Sequence, residues 1–249
     1  MAHGPTYKVK FRRRREGKTN YYRRRRLLLS RLPRLVVRKT NTGMIVQVVD
    51  ARVAGDMTVA SAVSPEISNH GWTVSGGNMP AAYLTGLLAG LRAKSRGVER
   101  AVLDIGLNPP VKGSKIYAAL AGALDAGINI SHDPDILPDE ARLSGEHIVA
   151  AYDHFAKSKG DSLMFSKVGA KKTTVASIPR QFKKVKKALL EIPKADLKKK
   201  KKRKVTLAKK TAVKKPVKKA AKKPAEKAPR AVPRKPKPKK LLARRGKKK

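Results

Sequence analysis

The sequence predicts an α/β domain built on a mixed sheet in β-β-β-α-β-α-β order, and three observations lead to this fold class. The middle of the chain, residues 35 to 156, is close to neutral, with 10 basic and 12 acidic residues. Three runs rich in β-branched residues open this segment. Two helical patterns follow, each next to a short apolar run that is typical of a buried strand. A segment of this size suffices for one hydrophobic core.

The first three predicted strands are Leu35 to Arg38, Met44 to Val49 and Met57 to Val63. The connectors between them, Thr40 to Gly43 and Ala54 to Asp56, each contain a glycine, which takes the positive φ of a hairpin turn without strain. We therefore expect three antiparallel strands. A loop from Ser64 to Gly77 follows them.

The first long helix is predicted to begin after Asn78 or Met79, because Pro80 suits a first helical turn and leucines then recur at helical spacing. Its apolar face is formed by Leu84, Leu87, Leu88 and Leu91. Gly86 and Gly90 lie one helical turn apart on this helix. We expect these two glycines to allow close packing of the helix on the sheet.

A strand, a second long helix and a short last strand follow. Ala101 to Leu107 is predicted to be a strand that is covered on both faces. Ser114 is expected to cap a helix that Gly127 closes, and Ile128 to Ile130 supplies a short last strand. Crossover helices join parallel strands, so the predicted sheet is mixed and carries packed helices.

Three predicted segments follow the last strand. Ser144 is expected to cap a helix that turns Ile148, Tyr152 and Phe155 toward the domain. Residues 157 to 193 comprise a linker, 157 to 176, and an amphipathic helix that begins at Ser177. The apolar side of that helix is expected to contain Phe182, Val185, Leu189 and Ile192. Residues 194 to 249 hold 28 Lys/Arg among 56 residues and are predicted to be disordered.

The charge of the protein lies at its two ends. The chain of 249 residues has a net charge of +44, of which residues 1 to 34 contribute +12 and residues 157 to 249 contribute +34. Such an excess makes a polyanion the expected partner. The sequence contains no cysteine, which excludes disulfides, thiolate metal sites and a cysteine nucleophile. It also offers neither a secretory signal nor a stretch long and apolar enough to span a membrane, so no membrane partner is expected.

Residues 1 to 34 are predicted to be a basic arm that binds RNA. A helix capped by Thr19 or Asn20 is expected to run through its second arginine block, with Leu27 to Leu29 anchoring it on the domain. Guanidinium groups bind phosphate in a bidentate way, and aromatic side chains among them provide stacking surfaces for bases. The candidate RNA-binding residues of this arm are Tyr7, Lys8, Lys10, Phe11, Arg12, Arg13, Arg14, Arg15, Lys18, Tyr21, Tyr22, Arg23, Arg24, Arg25, Arg26, Arg31 and Arg34.

A second candidate RNA contact is the loop that precedes the second long helix. Lys112, Ser114 and Lys115 lie where backbone N–H groups at a helix N-terminus can meet a phosphate. The alternative is that this loop only packs against the domain. The spacing and the order of Ser114 and Lys115 do not match a nucleotide-hydrolysing phosphate loop.

Catalytic and metal sites are weakly indicated. Asp50 and Asp104 are strand carboxylates of the kind that two-metal nucleases use, but the other acids, Asp56, Glu66, Glu99 and Asp125, fall at turns or helix ends. His132, Asp133 and Asp135 lie beside prolines in what is predicted to be an exposed turn. His147 and His154 share a helix face without a nearby third ligand. We expect no enzymatic activity, no metal and no cofactor.

Three long motifs give the sequence a resemblance to a known family. Gly4 to Thr19, Gly77 to Leu91 and Leu103 to Gly127 resemble the archaeal large-subunit ribosomal protein L-eighteen family, whose eukaryotic counterpart is ribosomal protein L-five. The resemblance extends to about Ile192, and the Lys/Ala/Pro-rich extension after Pro193 departs from it. It implies an α/β fold related in topology to ribonuclease H, with the RNA-binding arm of the family at Lys8 to Arg34.

The resemblance also implies a function. It predicts a structural protein of the large ribosomal subunit in the cytoplasm that binds 5S rRNA and attaches it to the central protuberance. Its other partners would be 23S-type rRNA and neighbouring large-subunit ribosomal proteins. The alternative is a non-ribosomal architectural nucleic-acid-binding protein, because the basic tail is similar to that of linker histones.

Overall fold

The computed structural model describes residues 4–157, 175–193 and Leu197, all of which belong to one compact unit, Met1–Lys201. Most of the predicted linker, residues 157–176, lies outside the described residues. The predicted disordered tail, residues 194–249, lies outside them as well, apart from Leu197.

The core of the fold is a five-stranded mixed sheet, as predicted. Its strands are β1 (Arg34–Lys39), β2 (Met44–Arg52), β3 (Gly55–Val63), β4 (Arg100–Asp104) and β5 (Asn129–Ile130). In the sheet they lie in the order β3-β2-β1-β4-β5. The β1–β2 and β2–β3 pairs are antiparallel, whereas β1–β4 and β4–β5 are parallel. The kinship with ribonuclease H stays a prediction.

Side chains of the central strands divide between the two faces of the sheet. Leu35, Val37, Val46 and Val48 are fully buried in the hydrophobic core on one face. Val36 pairs in register with Asp104, so both lie on the opposite face together with Arg34. This opposite face, called the open face below, carries Arg34, Arg38 and Asp104. The register of β2 and β3 shifts between Val48 and Val49.

The described residues contain eight α-helices: α1 (Arg12–Arg15), α2 (Tyr21–Leu28), α3 (Ser64–Ile67), α4 (Met79–Lys94), α5 (Lys115–Asp125), α6 (Glu140–Ser144), α7 (Glu146–Lys157) and α8 (Ile178–Leu190). Both long predicted helices, α4 and α5, are present. The Asn78 side chain accepts a hydrogen bond from the N–H of Ala81 and so caps α4 as predicted. The predicted loop from Ser64 to Gly77 begins instead with α3 and a 3-10 turn, Ser68–His70.

Helices α4 and α5 cross at very short range, and glycines make this possible. A Cβ atom added at Gly86 would overlap the backbone of Ala119, and one added at Gly122 would overlap the carbonyl of Tyr83. The prediction that Gly86 packs against the sheet is therefore wrong in its partner, which is helix α5. Sequence spacing identified the small-residue face but not the element that lies against it.

The end of the domain differs from the prediction. Ser144 is the last residue of α6 and not the cap of α7, because Gly145 takes a φ of 92° and separates the two helices. Ile148 packs against the core, whereas Tyr152 and Phe155, which are also predicted to face the domain, are 41% and 37% exposed.

Helix α8 has the amphipathic character that the sequence predicts. Phe182, Val185 and Leu189 are buried in the core, together with Ile178. The ring of Phe182 packs on that of Tyr83 in α4, with centroids 5.3 Å apart. Helix α4 is thus covered by the sheet on one side and by α8 on the other, which explains why almost all of its residues are buried. None of the helices in the described parts of the chain is long and apolar enough to cross a membrane.

Candidate nucleic-acid interface

The basic arm folds into two short helices, and α2 is held against the domain. The Asn20 side chain caps α2 as predicted, because its Oδ1 accepts hydrogen bonds from the N–H groups of Tyr22 and Arg23 at 3.1 and 3.4 Å. Leu27 and Leu28 are half-buried. Leu29 is 73% exposed, so it does not take the anchoring role that the sequence predicts. The first arginine block forms α1, a helix that the sequence pattern does not predict.

An alternating network of arginines and aspartates joins α2 to the open face of the sheet. Arg24 of α2 makes a bidentate pair with Asp56 of β3, at 2.8 and 2.6 Å. Asp56 also accepts from Arg34 at 2.8 Å. Arg34 donates to Asp104 at 2.7 Å, and Asp104 accepts from Arg38 at 3.0 Å. Two aspartates therefore connect three arginines from the arm and from β1.

Hydrogen bonding within the network shifts the pKa values of two of its members. The hydrogen bond from Arg24 holds the pKa of the Asp56 carboxyl below its usual value. The same bond raises the pKa of the Arg24 guanidinium. Both groups are therefore charged across the physiological pH range.

Arg34 has a different role from the one that the sequence predicts. It is the first residue of β1 and not the end of the arm, and only 3% of it is exposed. Its guanidinium is engaged by Asp56 and Asp104. Arg34 thus has a structural role in the sheet, and its contact with RNA stays a prediction. The strand β1 begins at Arg34, one residue before the predicted start of the domain at residue 35.

The other predicted residues of the arm are largely at the surface. Tyr21 is half-buried, and its ring meets that of Phe11 edge-on at 5.2 Å. Arg12 and Lys18 both pair with Glu16 at 2.8 Å. The exposed residues are Tyr7, Lys8, Lys10, Phe11, Arg12, Arg13, Arg14, Arg15, Lys18, Tyr22, Arg23, Arg25, Arg26 and Arg31. The arm thus presents guanidinium groups and aromatic rings together to solvent.

A cleft of about 840 Å³ separates the arm from the open face. Its floor includes Val36, Gln47 and Val49, and its walls carry cationic side chains of the arm. Seven lysine or arginine side chains and two aspartates line it: Arg13, Lys18, Arg23, Arg24, Arg26, Arg34, Arg38, Asp56 and Asp104. This excess of positive charge suits phosphate groups. The arm and the sheet together form a surface that the sequence pattern did not reveal.

The loop before α5 is tied to the domain more tightly than its sequence suggests. Lys112 is exposed, but Lys115 is half-buried and donates to the carbonyl of Gly77 at 2.8 Å. Ser114 occupies the N-cap position of α5 without making a side-chain capping bond, and its Oγ is buried without a partner. Of the three predicted residues, only Lys112 therefore has its charge fully available at the surface.

The carboxylates and histidines weighed for catalysis do not converge. Asp104 is neutralised by Arg34 and Arg38, whereas Asp50 lies at the surface beside Arg52. Asp133 caps the turn at Pro134–Ile136 with its own side chain. Within residues 4–157 and 175–193, no group of three or more histidine, aspartate or glutamate side chains could hold a metal ion. The nuclease hypothesis finds no support in this arrangement.

Comparison with known proteins identifies the family. The sequence model described as "Ribosomal large subunit proteins 60S L5, and 50S L18" matches residues 5–97 and 93–133. The large ribosomal subunit protein uL18 of Korarchaeum cryptofilum is 57% identical over 150 residues, which are 60% of this chain and 77% of that protein. The uL18 protein of Haloarcula marismortui is 56% identical over 153 residues, or 61% of this chain and 81% of that protein.

The matched residues include the arm, the sheet and both long helices. They therefore cover the whole cationic surface described above, and the resemblance found in the sequence motifs is confirmed. The chain belongs to the family of ribosomal large-subunit proteins 60S L5 and 50S L18.

Proposed function

We propose that this ribosomal protein binds 5S rRNA through its arm and attaches it to the central protuberance of the large subunit. Its family consists of structural ribosomal proteins, located in the cytoplasmic ribosome, whose partners are rRNA and other ribosomal proteins. The choice of 5S rRNA rests on the family resemblance. Family membership also sets aside the alternative of a non-ribosomal architectural protein.

The observation that carries the proposal is the division of the arginines on α2. Arg24 faces inward and is held by Asp56, whereas Arg25 and Arg26 are exposed and have no ion pair with another described residue. The pairing of Arg24 fixes the helix, and the helix then presents the exposed guanidinium groups of Arg25 and Arg26 in a defined geometry. A surface organised before binding avoids part of the ordering cost of association.

The aromatic residues of the arm support RNA over a plain polyanion. Tyr22 and Phe11 are 80% and 72% exposed, although burial of such rings is normally favourable. Exposed rings beside arginines provide stacking surfaces for unpaired bases. We therefore assign the phosphate contacts to Arg25, Arg26 and the α1 arginines, and base stacking to Phe11 and Tyr22. We also assign a phosphate contact to Lys112, which is exposed in the loop before α5.

The test replaces Arg25 and Arg26 by alanine and leaves Arg24 in place. The control replaces Lys39 and Arg100, two exposed cations of the neutral domain, and so removes the same charge. Loss of two charge-assisted phosphate contacts should weaken 5S rRNA binding by about 2 kcal/mol or more. It should also make the log–log salt dependence shallower by about 1.5.

Binding is measured by filter retention against transfer RNA as competitor, and folding by circular dichroism. The control variant should bind 5S rRNA almost as well as the wild type. Equal affinities of the two double variants would show that the arm is not the recognition surface.

A further inference from the structure

We propose that the outer face of α8 is a second RNA-binding surface, which binds the phosphate backbone of an RNA duplex on the side of the protein opposite to the arm. This inference rests on the proposed ribosomal RNA-binding function and extends it. The surface, called the α8 stripe, consists of Arg180, Lys183, Lys184 and Lys187. It lies outside residues 5–133, the part of the chain that the family model matches.

The stripe follows from the helical period. Positions 180, 183, 184 and 187 are three or four residues apart, so their side chains lie in one row along the helix. All four are exposed, and none forms an ion pair with another residue in the described parts of the chain. At 1.5 Å per residue, the row spans about 10 Å. Four unpaired like charges in one row repel each other until an anion neutralises them.

The contacts of Lys186, the fifth cation of α8, show that the stripe is not needed to attach this helix to the domain. Lys186 is half-buried, donates to Asp125 at 3.0 Å and lies 4.9 Å from the centre of the Tyr83 ring. The buried hydroxyl of Tyr83 also bonds to Asp125. Lys186 thus joins α8 to α4 and to the end of α5, together with the apolar residues of the inner face. The four outward cations add no ion pair with a described residue to this attachment.

The position of α8 separates the stripe from the arm. The arm lies over the open face of the sheet, where its side chains share a cleft with Val36 and Val49. Helix α4 packs on the other face, and α8 packs on α4 through Phe182 and Tyr83. The two basic surfaces therefore lie on opposite sides of the sheet, and one RNA segment on the arm leaves the stripe free for another.

The chemistry of the stripe favours duplex backbone over single strands. The one aromatic residue of the helix, Phe182, is 7% exposed and packs inward, so α8 itself offers no ring for base stacking. The arm, in contrast, exposes several rings. A rigid row of cations without stacking groups contacts phosphates and reads no sequence. The basic run Lys198 to Lys204 follows soon after in the sequence and adds charge of the same sign.

The experiment uses the full chain loaded with 5S rRNA, so that the arm is occupied, and a 24-base-pair RNA duplex of unrelated sequence as the second ligand. The test variant is Arg180→Gln, Lys183→Gln, Lys184→Gln and Lys187→Gln together. The control variant changes Lys198, Lys199, Lys200 and Lys201 to Gln, which removes the same charge from the tail. In parallel, the lysines are acetylated chemically with and without the duplex, and the modified lysines are identified by mass spectrometry.

We expect the stripe variant to bind 5S rRNA normally and to show a log–log salt slope for the duplex that is shallower by about 3. The affinity advantage of the wild type then shrinks about sixtyfold between about 50 and 200 mM salt. The salt slope of duplex binding should change less in the control variant, because the tail retains most of its 28 basic residues. Duplex should protect Lys183, Lys184 and Lys187 from acetylation and leave Lys186 unchanged.

The proposal would be overturned if the salt slope of duplex binding fell equally in the two variants. It would also be overturned if the duplex did not protect the stripe lysines from acetylation. Duplex binding that is unaffected by the stripe variant would overturn it as well and would direct the search toward an acidic protein. The acetylation experiment is repeated without 5S rRNA. A failure of the wild type to bind 5S rRNA would contradict the proposed function. The acetylation experiment without 5S rRNA would still test the α8 stripe.

Discussion

Asp56 is expected to control RNA binding although it is itself an acidic residue. Its carboxylate accepts hydrogen bonds from Arg24 of the arm and from Arg34 of β1. The helix that Arg24 belongs to has eight residues, which is too short to be stable alone in water. Replacing Asp56 by asparagine keeps the shape of the side chain but removes the charge that holds α2. We expect this change to weaken the binding of 5S rRNA.

The magnitude follows from the exposure of the pair. The Arg24 and Asp56 side chains are 31% and 33% exposed. Fully exposed ion pairs contribute about 0 to 1 kcal/mol, and hydrogen bonds to charged groups contribute about 1.5 to 3 kcal/mol. A partly exposed bidentate pair lies between these ranges, at about 1 to 2 kcal/mol. The corresponding loss of affinity is at most about five- to thirtyfold.

The control is Asp50→Asn on the same hairpin. Asp50 is at the surface, its distance to Arg52 is 3.4 Å, and it does not contact the arm. Both variants raise the net charge by one, so both should gain slightly in long-range attraction to RNA. Only Asp56→Asn should lose affinity, and the two effects therefore have opposite signs.

The assay is titration of 5S rRNA at fixed salt, with amide hydrogen exchange of α2 in the free protein as a second measurement. Faster exchange in α2 is expected for Asp56→Asn alone. If Asp56→Asn bound 5S rRNA as well as Asp50→Asn does, the docking of α2 would be irrelevant to recognition and this reasoning would be refuted.

Three further predictions concern stability and the second loop. Gly122→Ala should destabilise the protein by about 3 kcal/mol or more in urea titrations, because the new Cβ meets the backbone carbonyl of Tyr83; an unchanged midpoint would contradict the close crossing. Burial, aided by Arg142, lowers the pKa of His147, so this residue contributes stability above its unfolded pKa of about 6.5 that is lost at lower pH. His147→Gln should remove that part of the pH dependence of the unfolding free energy. Lys112→Ala should reduce the salt slope of 5S rRNA binding by about 0.7 to 0.9, whereas a slope equal to that of wild type would indicate a loop that only packs.

Most elements of the fold could be predicted because their signals are local. Asn20 and Asn78 begin helices through contacts within three residues of themselves. The hairpins lie where glycines separate the β-branched runs, but of the two connector glycines Gly55 takes the predicted positive φ, at 145°, whereas Gly43 does not. Ser144 shows where local signals become ambiguous. A serine before an apolar helix is typical of a cap, but the same serine also ends the preceding helix, and the φ of Gly145 decides between the two.

Tertiary partners account for the remaining differences. The sequence indicates that Gly86 permits a close approach, but only the topology places Ala119 against it. The burial of Arg34 was equally inaccessible to local reasoning. Its two carboxylates come from Asp56 and Asp104, which are 22 and 70 residues away in the chain. An arginine at the edge of a basic arm and one at the start of a buried strand have the same local sequence pattern.

The second arginine block illustrates why such differences matter for function. Four residues of the same type, Arg23, Arg24, Arg25 and Arg26, follow one another, and the sequence predicts that all four contact RNA. In the structure, Arg24 is paired with Asp56, whereas Arg25 and Arg26 are exposed. Replacing the whole block would therefore undock α2 and remove phosphate contacts at the same time, and a loss of binding would not distinguish the two effects. Only variants that separate Arg24 from Arg25 and Arg26 can measure recognition apart from the folding of the arm.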